Sequence, residues 1–136
     1  MNRHWENPEV LSIGRLPARA SFASSGKKIE LNGKWKFKWT ESPEKADEWL
    51  REETEGWLDS NIPSLWTMDE RISKDQPIYT NVSLPFKGEP PSVPRNSAGL
   101  YKKKFTIPKK YAKKRWVIFL GGIENCFFLY CNKQEV

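Results

Sequence analysis

The chain has 136 residues, 38% of them hydrophobic, with a net charge of +6; that is enough for one domain with a real core but well short of the ~250 residues of a barrel enzyme. Its first ten residues, MNRHWENPEV, lack the apolar stretch of a secretory signal, and no run approaches the ~18 apolar residues of a membrane span, so a cytoplasmic chain with no membrane partner is expected. Aromatic residues make up 13% and alanine is scarce, a balance that favours β structure.

Residues 1–30 show neither a 3.6 nor a 2.0 apolar period and contain Pro8, Pro17 and a small-residue stretch from Ala18 to Gly26. They read as an extended arm whose Trp5, Val10, Leu11 and Phe22 lack local partners and pack on something else, such as another subunit. After the Asn32-Gly33 turn pair, Trp35, Phe37 and Trp39 alternate with Lys34, Lys36 and Lys38. This is a strand with one aromatic and one cationic face. The rings belong in the core; stacking on a sugar is the functional alternative. Ser42 as N-cap and Pro43 at the first helical position open one short acidic helix carrying Trp49 and Leu50, ended by Gly56 and Trp57.

Ile62 to Trp66 returns to extended structure, and a polar loop with Asp69, Glu70, Lys74 and Asp75 leads to Pro77-Ile78-Tyr79-Thr80-Asn81-Val82. Pro85, Pro90, Pro91 and Pro94, with Pro77 upstream, mark a stiff connection rather than a central strand. Leu100–Ile107, Trp116–Leu120 and Cys126–Cys131 read as strands, with Gly121-Gly122 turning between the last two and Asn132-Lys133 forming the next hairpin turn. Only Gln134, Glu135 and Val136 follow that turn, so the returning strand is expected to be cut short and the sandwich left incomplete at its C-terminus.

Cys126 and Cys131 lie five apart in one strand, so they point to opposite faces and read as buried free thiols. With His4 as the single histidine, tetrahedral zinc lacks ligands and no metal site is expected. The lysine clusters at Lys102–Lys104 and Pro108–Arg115 come without any nucleic-acid-binding signature, and read as a solvated strand face and the turn after it, not as a nucleic-acid site. The adjacent pairs Glu52-Glu53 and Asp69-Glu70 diverge along the chain and read as surface charge, so no catalytic residue is expected.

Seven stretches together carry a resemblance: Trp5-Glu6-Asn7-Pro8, LNGKWKFKW at 31–39, IPSLWTM at 62–68, PIYTNV at 77–82, PPSVP at 90–94, GLYKKKFTIP at 99–108 and GGIENCFFLYCN at 121–132. In order and spacing they resemble the N-terminal region of β-galactosidases of glycoside hydrolase family 2, over nearly the whole chain. The resemblance implies an all-β, galactose-binding-like jelly-roll sandwich over 31–136, preceded by the arm 1–30. It also implies that the sandwich leads a longer enzyme whose catalytic barrel performs retaining hydrolysis of terminal β-galactosides with two glutamates. Within this chain it implies one substrate-binding residue, Asn81, whose amide suits vicinal sugar hydroxyls; the alternative for Asn81 is a turn cap. Mg²⁺ and Na⁺ are implied for the full-length enzymes, held mainly elsewhere, with none in this chain and a sodium-binding aspartate downstream of it. The implied partners are a β-galactoside sugar and the remaining domains or subunits; a complementing subunit or a stand-alone carbohydrate-binding module is the alternative. Ser64-Leu65-Trp66 departs from the family's Ser-Asn-Trp and Asn132-Lys133 from its Asn-Gly, which weakens that turn because lysine disfavours positive φ.

Overall fold

A computed structural model describes residues 4–72, 75–77, 81, 96–124 and 126–136, Asp47 by its backbone alone. The expected stiff connection, 84–94, lies outside the described residues. The chain divides into two compact units, Leu31–Lys104 and a second made of Met1–Glu30 with Phe105–Val136, named below the middle and terminal units for their place along the sequence.

In the middle unit the alternating stretch forms β1, Gly33–Thr40. It is the centre of an antiparallel sheet of order β2-β1-β3, with β2 at Leu58–Ile62 and β3 at Ala98–Lys102. The register sets Phe37 opposite Leu58 on one side and Tyr101 on the other. Successive side chains alternate across a sheet, so Trp35, Phe37 and Trp39 share a face with Gly99 and Tyr101, while Lys36 and Lys38 share the other with Lys102 and Asp59. Phe37 is the centre of the core at 1% exposure. Its ring lies 4.8 Å from that of Tyr101 and 6.2 Å from that of Trp66, and Gly99 makes room for it: a Cβ there would stand 2.9 Å from Phe37 Cε2.

The lysine face is not left to water, contrary to the sequence expectation. Ser42, with extended backbone, accepts from the Glu44 N–H at 3.3 Å and opens a 3₁₀ turn, Pro43–Lys45, that passes into α1, Ala46–Leu50. The helix is shorter than expected and the chain returns through Gly56, at φ +74°, to the buried Trp57. Lys38 Nζ sits 4.4 Å from the Trp49 ring centre, and Lys102 Nζ 4.6 Å from that of Trp57. Lys102 also donates to the Trp49 and Glu52 carbonyls at 2.5 and 2.6 Å. The last carbonyls of a helix lack partners within it, and an ammonium there also suits the helix dipole. Lys103 donates to the Asn32 and Lys34 carbonyls at 3.1 and 3.2 Å.

β2 was not expected as a strand. Asp59 faces Lys36 and Lys34, at 2.7 and 3.7 Å, and Ser60 is buried, so this strand carries its pairing in polar residues. Beyond it the expected extended run is instead broken by a cis Ile62-Pro63 bond and a 3₁₀ turn at Trp66–Met68.

In the terminal unit the arm meets the C-terminal segment of its own chain. Trp5 packs edge-on against Phe128 at 5.8 Å and Phe22 stacks on Phe119 at 6.0 Å, whereas Leu11 is 85% exposed. The strands expected at Trp116–Leu120 and Cys126–Cys131 reduce to β4, Tyr130–Cys131, paired with β5, Gln134–Glu135; without a neighbouring ladder, 116–120 forms no strand. Leu100–Ile107 likewise shortens to β3, which ends where its pairing with β1 ends. The hairpin turn is as expected: Asn132 and Lys133 have φ of +51° and +68°, the two positive angles of a two-residue hairpin loop. Both cysteines are free but exposed, not buried as their apolar setting suggested. Among the described residues all those that are buried, Phe37, Thr40, Ala46, Trp57, Ser60 and Ile72, belong to the middle unit.

Candidate functional site

Asn81 is exposed and lies in a turn; of the rest of the PIYTNV stretch, only Pro77 is among the described residues. The segment leading to it is well defined. Asp69 takes Arg71 Nε at 2.8 Å, Arg71 Nη2 at 2.5 Å and the Arg71 backbone N–H at 3.0 Å, and Arg71 Nη2 reaches back to the Asp59 carbonyl at 3.0 Å. This fork holds the Asp69 carboxyl down at about 2. Ile72 then turns in to 6% exposure, its N–H on the Asp69 carbonyl at 2.8 Å. Tyr101 is pushed up to about 12, by burial first and by the Asp69 charge second. Farther on, the Trp39 indole N–H donates to Asp75 Oδ2. An open hollow of about 390 Å³ borders this segment, with Ser60, Asn61, Ser64, Leu65, Met68, Asp69 and Arg71 at its walls.

These contacts decide several of the sequence readings. Phe37 is buried, while Trp35, which donates to the Leu31 carbonyl at 2.7 Å under Lys103, and Trp39, which donates to Asp75, are half-buried. Glu52 binds Lys38 at 2.8 Å, while Asp69 is a fixed part of the clasp with Arg71 rather than plain surface charge. Lys102 and Lys103 are engaged with backbone carbonyls instead of being solvated. Among the described residues no three His, Cys, Asp or Glu side chains gather to hold a metal, and no helix is long and apolar enough to cross a membrane. The Trp39 to Asp75 link escaped the sequence reading because its partners stand 36 positions apart; the only local signal was the acidic residue in a polar loop.

The family described as glycosyl hydrolases family 2, sugar binding domain, matches residues 29–136. Among curated relatives, the β-galactosidase of Aeromonas hydrophila is 31% identical over 97% of the chain and 15% of its own length. Those of Pseudoalteromonas haloplanktis and Yersinia enterocolitica are each 33% identical over 98% of the chain and 14% of their own length. The chain thus spans about one seventh of the relatives it matches. No solved structure matches it. An all-β architecture of antiparallel strands with one short helix agrees with that domain, and the chain belongs to glycosyl hydrolase family 2, to its sugar-binding domain.

Proposed function

We propose that this chain acts as the N-terminal sugar-binding domain of a retaining β-galactosidase, contributing Asn81 to the binding of a terminal β-D-galactoside such as lactose while a barrel outside the chain supplies both catalytic glutamates. The observation that carries this reading is the match of residues 29–136 to the sugar-binding domain, together with β-galactosidase relatives aligned along 97–98% of the chain. The engagement of Glu52 and Asp69 with cations supports a binding rather than a catalytic part, because a working pair of carboxyls must face one bond from ~5 Å apart. In this reading Mg²⁺ and Na⁺ belong to the other domains. The exposed side chains of Leu11, Ile13 and Leu16 in the terminal unit favour a second form of the same role, a complementing subunit that docks on the remaining domains.

The test is to mix the purified chain with a β-galactosidase lacking its own sugar-binding domain and follow hydrolysis of a chromogenic β-galactoside. Restored activity, with an Asn81→Ala chain raising KM about tenfold or more, is expected. Full restoration by Asn81→Ala would remove Asn81 from the site, and no restoration by the wild-type chain would remove the enzymatic role. A change in tryptophan fluorescence on titrating the chain alone with galactose would instead identify a stand-alone sugar module.

A further inference from the structure

The turn that carries Asn81 is exposed, and an exposed turn places a side chain well only if the chain is fixed close by. Among the described residues Ile72 is the last buried one before it, nine positions away, a tether that spans up to ~30 Å when extended. Asp75 lies six positions away, which cuts that reach to ~20 Å. Asp75 is held by Trp39, and Trp39 is a firm post: it stands on the central strand, opposite Gly99 in the ladder with β3. The indole has one N–H and no acceptor, so its bond to a carboxylate is directional and charge-assisted.

Building on the reading of Asn81 as a sugar contact, we propose that Trp39 and Asp75 are positioning residues for that contact, tying the Asn81 turn to the middle of the sheet. They touch no substrate; they act by limiting where Asn81 can go. The conservative replacements separate this from bulk stability. Trp39→Phe keeps the ring and loses the donor, Asp75→Ala loses the acceptor, and Asp75→Asn keeps a carbonyl oxygen for the indole.

The experiment has two arms. In the first, the ¹⁵N-labelled chain is observed directly: Trp39→Phe and Asp75→Ala shift and broaden the Asn81 backbone and side-chain amide signals, and Asp75→Asn and, in the terminal unit, Trp116→Phe leave them in place. Unchanged Asn81 signals in Trp39→Phe and Asp75→Ala would overturn the proposal. In the second, the complemented enzyme is assayed. Trp39→Phe and Asp75→Ala raise KM about three- to tenfold with kcat little changed, and neither adds to the effect of Asn81→Ala in a double variant. Additive effects, or a normal KM where Asn81→Ala alone is impaired, would sink it. A normal KM for Asn81→Ala itself would refute the sugar contact and leave the first arm to judge the tether.

Discussion

The middle and terminal units each hold nine aromatic residues, yet only the middle unit turns them into a core. There Phe37 and Trp57 fall below 10% exposure, because β1 pairs along both edges and brings residues up to sixty or more positions apart into register. In the terminal unit the only described ladder is two residues long, and Phe105, Phe119 and Phe127 remain 43–45% exposed. Rings alone do not make a core; they need a paired backbone to hold them on one face.

The largest expected effect breaks or upholds that contrast directly. Phe37→Ala costs about 3–5 kcal/mol and Phe119→Ala less than ~1 kcal/mol, read from urea unfolding at 25 °C. Equal costs would mean that the terminal unit is packed as tightly as the middle one. Next comes Gly99→Ala, where the added Cβ meets Phe37 Cε2 at 2.9 Å and Trp66 Nε1 at 3.3 Å; overpacking of this kind costs about 1–3 kcal/mol. Gly122, with nothing within 4 Å of its Cβ direction, is the terminal-unit control, at ~0.5 kcal/mol or less for alanine. Lys102→Met tests the other face of the sheet. It leaves the Trp49 and Glu52 carbonyls without their ammonium donor and removes the nearer of the two ammonium groups over Trp57, a loss of about 1–2 kcal/mol visible as a lower Tm and faster amide exchange across α1.

The smallest effect is one of pH. Asp69 is held at about 2 in the folded chain, below the ~3.9 of an unfolded aspartate. Its contribution is therefore complete above about pH 4 and is lost as the pH falls from there through 2. Asp69→Asn is expected to lower stability at neutral pH and to flatten the acid limb of the stability curve, measured by thermal unfolding between pH 2 and 6. An unchanged acid limb would show that the Arg71 fork is not what fixes this turn.

How much could be read beforehand follows the same contrast. β1 was legible because its period of two is written in unlike residues, rings against lysines. β2, Leu58–Ile62, was not: its stabilising pairs are Asp59 with Lys36 and a buried Ser60, partners whose chemistry looks like loop in one dimension. Trp116–Leu120 looked like strand from its apolar content, but a strand is defined by its neighbour, and none pairs with it among the described residues. The caps and turns were local and so were legible, at Ser42 and at Asn132-Lys133. At the candidate site, Asn81 came from resemblance rather than from physics, while the Trp39 bond to Asp75, six positions before it in sequence, was invisible until the fold brought position 39 to position 75.

The disposition of Lys102 and Lys103 bears on how the chain meets polyanions. A charge of +6 acts at long range whatever its ammonium groups touch, and at low salt it draws nucleic acid toward the surface. A stable complex needs those groups to leave their present partners for phosphates and release counterions. Here two of the clustered ammonium groups are seated on backbone carbonyls of the chain itself, so transferring them would strip the end of α1 and the start of β1 of donors. Binding of a polyanion through Lys102 and Lys103 is therefore made at the expense of contacts that are already part of the chain's own architecture.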